Sequence, residues 1–260
     1  MTDEATPPST RTAVDRNKHL RWTATLTWLS KGWSDLWTSP LPSLAYGLAI
    51  AAASLSLVAG LVYLGWDYLL FPMIAGFFVV GPALASGLYE KSRSLAAGKP
   101  VSLARMLFPG RGTSGHILFI GIVLTMLLLL WLRAAVLIYA LFFGVRPFPG
   151  LGHIAPMLFT TPVGLTMLAV GTAVGGLFAA LSFAISVLSI PMLVDRKVDA
   201  FTAMGLSIST AWQNLPVMIA WGIVVLALAL VGVATGMVGF IVIFPLLGHA
   251  SWHAYAAMRD

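Results

Sequence analysis

The sequence predicts an all-α, polytopic membrane protein with six transmembrane helices. They form three pseudo-repeated helical hairpins, each preceded by an interfacial amphipathic helix. Three observations carry this prediction. The 260 residues are 59% hydrophobic and 9% charged, with mean hydropathy +0.92, whereas a soluble domain carries roughly 25% charged residues. Apolar runs of membrane-span length recur along the chain. The basic residues gather in short stretches beside those runs, as topology requires and nucleic-acid binding does not. With no cysteine present, disulfides, thiolate metal sites and cysteine nucleophiles are excluded.

The opening MTDEATPPSTRTAVDRNKHL is polar and has no apolar centre. Residues 1–21 read as a disordered cytoplasmic tail rather than a signal peptide, ahead of one six-span domain over 22–258. Span-length runs fall at about 43–64, 68–89, 116–143, 163–188, 216–234 and 237–256, each near the ~20 residues a bilayer needs. The last two are divided at Thr235-Gly236, where a tight turn forms most easily. Pro147, Pro149, Gly150 and Gly152 read as a loop before the fourth. On one side of these spans lie Arg11, Arg16, Lys18, Arg21, Lys31, Lys91, Arg93, Lys99, Arg105, Arg111, Arg196, Lys197 and Arg259; the other side has Arg146. This asymmetry predicts cytoplasmic termini.

Residues 22–37, WTATLTWLSKGWSDLW, place Leu26, Leu29, Trp33, Leu36 and Trp37 at helical spacing, with Lys31, Ser34 and Asp35 opposite. Such a helix lies in the membrane interface. Trp22, Trp28, Trp33 and Trp37 read as interfacial anchors. A shift of 175 carries the apolar set onto Phe201, Met204, Ile208, Ala211 and Trp212, and LAYG (44–47) onto IAWG (219–222). The returning spans match as well: Gly76, Phe77, Val79, Pro82 and Leu84 correspond to Gly239, Phe240, Val242, Pro245 and Leu247, with a fainter echo in Leu188, Pro191 and Leu193. SLARMLF (102–108) is a short amphipathic piece before the third span. The units run over about 22–93, 100–197 and 198–258. In each, a proline (Pro82, Pro191, Pro245) frees a backbone carbonyl and can bend the returning span, as a packing kink or as a hinge beside a cavity.

Four residues after the prolines stand Ser86, Asp195 and His249; eight residues after stand Glu90, Asp199 and His253. Under the pseudo-symmetry these groups, with His116 at the start of the third span, meet at one membrane boundary. His249 and His253 share a helical face. A divalent metal or a proton-exchanging cluster is one reading; an ordinary polar helix end is the other. Arg133 is the formal charge inside a span. It either faces protein or water or snorkels to the outer surface, and Asp67 in the first outer turn is its expected partner. Gly171, Gly175 and Gly176, like Ala83 and Gly87, form small-residue packing faces. No phosphate loop, nucleophile elbow or zinc-protease motif is present, so the chain reads as non-enzymatic and no cofactor is implied.

GPALASGLYEKSRSLAAGKPVS (81–102), with LFPMIAGF upstream, WLSKGWSDLWTSPLPSLAYG (28–47) and FPLLGHASWHAYAAM (244–258), resembles a bacterial integral-membrane family, domain of unknown function number 2189. The resemblance implies a multi-span inner-membrane protein. Members are sometimes labelled cytochrome c oxidase subunits, although this chain has too few histidines in its spans for haem and copper. An accessory, assembly or scaffold role beside a respiratory complex is what the label implies, with a protein partner or a homo-oligomer. Two other readings stay open from the residues: a small-solute or lipid transporter or channel, which predicts a cavity reaching the membrane midplane, and a metal- or haem-binding protein built on His116, His249 and His253.

Overall fold

The computed structural model describes residues 17–107, 111–144 and 150–259. Residues 1–16 of the expected tail, and Arg146, Pro147 and Pro149, lie outside the described residues. Those described form twelve α-helices and no strand. Five helical segments are long and apolar enough to cross a membrane: Pro40–Tyr63, Ser114–Phe143, Pro162–Asp195, Leu215–Ala234 and Phe240–Arg259. The protein is a multi-pass integral membrane protein.

Helix α1 (Ala24–Trp37) leads into α2 (Pro40–Tyr63) through a corner at Ser39, whose φ is 60°. The expected second span is not one straight helix. α3 (Leu70–Leu84) and α4 (Ser86–Ala96) meet at 41°. Pro82 explains the bend: it offers no N–H, and its ring displaces the preceding turn. The break is closed from outside, where the Tyr46 hydroxyl on α2 donates to the Leu84 carbonyl at 2.5 Å.

After the short α5 (Leu103–Leu107), α6 (Arg111–Phe143) runs for 33 residues. At about 1.5 Å per residue it exceeds the ~30 Å hydrocarbon core. Arg133 is exposed on α6, and no ion pair joins it to Asp67. The expected pairing is therefore corrected. The reason is length: nineteen rises after Ser114 put Arg133 roughly 28 Å along the helix, about the full thickness of the hydrocarbon layer, where a guanidinium needs no acidic partner.

Gly152, expected in a loop, lies instead in α7 (Leu151–Thr160), which turns sharply into α8 (Pro162–Ser186). Thr161 caps α8 by accepting from the Gly164 N–H at 3.0 Å. A side chain at Gly164 would overlap the Met157 carbonyl, which is how the two helices fold so tightly. α8 breaks before α9 (Ser189–Asp195), just ahead of Pro191. The Ser207 hydroxyl fills this break. It donates to the Ala184 carbonyl at 2.7 Å and accepts from the Leu188 N–H at 3.2 Å, the two groups an intact helix would join to each other.

Ser207 belongs to α10 (Ala200–Gln213), which α11 (Leu215–Ala234) follows. The turn at Thr235-Gly236 forms as expected, with Gly236 at φ 63° and Thr235 accepting from the Gly239 N–H. α12 (Phe240–Arg259) continues through Pro245 without a break and touches α1, α2, α4, α9 and α11. Small residues allow this central position. A Cβ at Gly32 of α1 would stand 2.6 Å from the Ala250 backbone nitrogen, and one at Gly47 of α2 would overlap the Ile241 carbonyl. Ile241 is the residue whose carbonyl Pro245 leaves without its helical donor, so α2 lies directly against the freed group.

The anchors of α1 divide. Trp22, Trp33 and Trp37 are exposed, but Trp28 is buried and stands edge-on to Trp221, with centroids 5.7 Å apart. Leu36, expected on the lipid-facing stripe, is fully buried. The face turned to the bundle is Thr25, Trp28, Gly32 and Leu36, because small residues there let α1 press onto α12.

Candidate functional site

Two features flank α12. On one face a chain of buried polar groups ties four helices together. Lys91 of α4 is 1% exposed. Its ammonium donates to the Ser39 carbonyl at 2.9 Å, to Ser43 Oγ at 2.7 Å and, at 3.5 Å, to the Leu36 carbonyl. These acceptors lie at the C-terminal end of α1 and the start of α2, where helix carbonyls lack partners and the dipole favours a cation.

Ser43 Oγ also stands 2.9 Å from His249 Nε2, and Ser92 Oγ stands 2.8 Å from His249 Nδ1. Ser92 hydrogen-bonds Asp35, and His253 Nε2 lies 2.9 Å from Asp35 Oδ2. The proton positions follow from the two ends. An ammonium only donates, so the Ser43 proton is directed at His249 Nε2. A carboxylate only accepts, so Ser92 donates to Asp35 and receives from His249 Nδ1. His249 is thus the neutral Nδ1–H tautomer, and the chain runs with one polarity from Lys91 through Ser43, His249 and Ser92 to Asp35. The cation and carboxylate at its ends balance each other.

Asp35 lies in α1, outside the spans. Burial pushes its carboxyl upward, but hydrogen bonds from His253 and Ser92 and the His253 imidazole beside it outweigh this and hold it below its usual range.

The other sequence-derived candidates sit apart. Glu90 is buried against Arg93, at 2.7 Å, and Ser94. Asp195 accepts from Tyr255 at 2.8 Å and from Arg259 at 3.1 Å, fastening α9 to the end of α12. Asp199 caps α10 through the Thr202 N–H and hydroxyl, which lowers its carboxyl pKa. His116 is exposed at the start of α6, and Ser86 opens α4. The expected meeting of Glu90, Asp195, Asp199, His116, His249 and His253 at one site does not form: among the described residues no three His, Asp or Glu side chains gather where they could hold a metal. His249 and His253 do share a face, but serines occupy both nitrogens of the first and Asp35 holds the second. Lys91, Ser43, Ser92 and Asp35 are the members that sequence reasoning missed.

The opposite face of α12 borders a cavity of about 1090 Å3. Phe244, Leu247, Gly248 and Ser251 line it, a stripe on the far side of the helix from His249 and His253. The cavity extends from Ile154 and Phe159 of α7, past Gly171 and Gly176 of α8, to Tyr89 and Trp221. Its walls are almost wholly apolar. The small-residue face on α8 is only partly a packing face: Gly175 is covered by Trp131, while a Cβ at Gly171 or Gly176 would meet nothing within 4 Å. Within the lining, Tyr89 bonds Ser251. Trp221 is fully buried, and its indole N–H, closed off from any accessible surface, is the one buried side-chain polar group among the described residues without a hydrogen-bond partner.

Comparison with the curated proteins finds no match, and neither does comparison with the solved structures. A family model does match, over α3 to α9 and not over α1, α2 or α10 to α12, so the match is narrower than the resemblance read from the sequence. Residues 70–195 of the chain carry the pattern of the family described as predicted integral membrane protein, DUF2189.

Proposed function

We propose that this is a non-enzymatic inner-membrane protein that holds an apolar, lipid-like molecule in the cavity beside α12, as a lipid-binding or lipid-moving component. The observation that carries the reading is the cavity itself. Its volume of about 1090 Å3 lies just above the roughly 300–1,000 Å3 typical of ligand sites. Water gains no partners against such walls. A chain drawn from the surrounding bilayer does.

The architecture we propose has six spans, with α3 and α4 read as one bent span, and both termini in the cytoplasm. Support for the first and third of the three repeated units comes from α1 and α10. Both have 14 residues, and the shift of 175 places one on the other to within one residue. Exposed Leu26 and Trp33 on α1, with Trp22 just ahead of it, and Phe201 and Trp212 on α10, favour both as helices lying in the interface.

The accessory or scaffold reading has one observation in its favour, the uncovered Gly171 and Gly176, which a partner's helix would fit. A helix about 10 Å across and 30 Å long displaces roughly twice the cavity volume, so it would lie along the opening and not within. The metal- or haem-binding reading is left without a gathered ligand set.

Extraction of the affinity-purified protein with organic solvent, followed by lipid mass spectrometry, tests the proposal. About one lipid of defined class per chain is expected after delipidating detergent washes. A protein washed free of lipid that keeps its thermal stability would refute it.

A further inference from the structure

Resting on that reading, we infer that the cavity beside α12 holds an uncharged, methyl-branched chain long enough to cross both leaflets, as a polyisoprenoid does, rather than the acyl tails of a phospholipid from one leaflet. The length of the cavity points there first. Its lining residues on α8 start at Met167 and continue in steps of one and three to Val187, just past the helix end. That spacing is one continuous helical face. Twenty rises make the face about 30 Å long, the full thickness of the hydrocarbon core. α11 lines the cavity in the same way from Leu215 to Leu230, over about 22 Å. α7 stands where α8 starts, and α10 where it ends. An acyl tail reaches only through its own leaflet, about half of that core.

Charge and wall shape narrow the chemistry further. None of the described residues that line the cavity is charged. A phosphate or ammonium drawn along such walls would lose its hydration and gain no partner, so the held portion of the molecule is uncharged from end to end. The walls also carry open glycines. Gly81 of α3, Gly171 and Gly176 of α8 and Gly222 of α11 all line the cavity, and a Cβ at any of them would meet nothing within 4 Å. Each therefore leaves a hollow of at least methyl size. A straight hydrocarbon leaves these hollows empty and forfeits the contacts they offer. A chain with methyl branches along its length fills them.

The experiment offers the full-length protein hexaprenol, farnesol or tetracosanol in mild detergent, and native mass spectrometry reads the binding of each. An extended chain gains about 1.2 Å per bond, so the six isoprene units of hexaprenol reach about 29 Å. Farnesol has half those units. Tetracosanol matches the length of hexaprenol and has no branches. The wild type is expected to bind hexaprenol at least about tenfold tighter than farnesol, because twice the apolar length is buried. It is expected to bind hexaprenol about fourfold tighter than tetracosanol, the worth of one buried methyl group. Gly222→Leu sets a side chain across the cavity partway along α11 and should bind hexaprenol no better than farnesol. Equal binding of hexaprenol and farnesol by the wild type overturns the inference, and so does equal binding of hexaprenol and tetracosanol. A hexaprenol preference unchanged in Gly222→Leu also overturns it, by placing the chain outside the cavity. If the wild type keeps a phospholipid that hexaprenol does not displace, the inference falls and the lipid reading stands. If no lipid binds at all, the lipid reading falls with it. Should Gly222→Leu fail to fold, the wild-type comparison still decides.

Discussion

Lys91 shows how a charge is kept within this bundle. Its three donors meet acceptors at the α1–α2 corner, and Asp35 balances it through Ser43, His249 and Ser92. Removing the Lys91 ammonium leaves its acceptors at the corner without their donor, at a cost of about 1–3 kcal/mol. Lys91→Met is expected to destabilise the detergent-solubilised protein by that order, read from thermal unfolding, whereas Lys31→Met on the exposed side of α1 has an effect near zero. Asp35 gives the same network a pH dependence. Its carboxyl titrates below the ordinary value in the folded protein and near ~3.9 in an unfolded chain. The stability it contributes is complete above the unfolded value and is lost as pH falls through the folded one. The melting temperature should hold above about pH 5 and decline below about pH 4, with a shallower decline in Asp35→Asn; parallel curves for the two proteins would remove Asp35 from the network.

Helices pack here by bringing backbone against backbone where prolines and breaks free polar groups. Gly47 lies on the Ile241 carbonyl that Pro245 releases, while Gly60 on the same helix has nothing within 4 Å of its Cβ position. Gly47→Ala should cost about 1–3 kcal/mol by overpacking. Gly60→Ala should be neutral or stabilising by about 0.5–1 kcal/mol, through helix propensity. If the two variants melted alike, the close approach of α2 to α12 would be contradicted. At the α8–α9 break, Ser207→Ala would strand the buried Leu188 N–H and Ala184 carbonyl, with an expected loss of about 1–3 kcal/mol; hydrogen exchange at Leu188 would report it as faster opening. Much at this level was readable from the chain. The 175-residue offset anticipated α1 and α10 because helical periodicity is a local property, and span-length runs are local too. α7 was missed because the prolines and glycines at 147–152 signal a loop, and that signal does not show a helix starting at its end. Pro82 and Pro191 were read as bends and do sit at breaks. Pro245, with the same signal, lies inside an unbroken helix.

The bundle places its polar chemistry and its empty space on opposite faces of one helix. The sequence marked the His249–His253 pair clearly. It could not mark Ser43 and Ser92, unremarkable residues 206 and 157 positions from His249, or show that Lys91, counted for topology, turns inward. The cavity left no local trace either, since apolar residues that line space and those that fill it look alike in one dimension. The same reasoning makes α8 the place to test the whole account. Gly171 and Gly176 face the cavity with open room, so leucine at both positions fills it without disturbing packed backbone.

The most direct measurement is native mass spectrometry of the wild type and the Gly171→Leu/Gly176→Leu variant, purified side by side in the same mild detergent. The account predicts a wild type carrying about one retained lipid per chain and a variant that folds with equal or higher melting temperature and carries none. Equal lipid retention in the two proteins, or none in either, would contradict the claim that the cavity beside α12 is a lipid site.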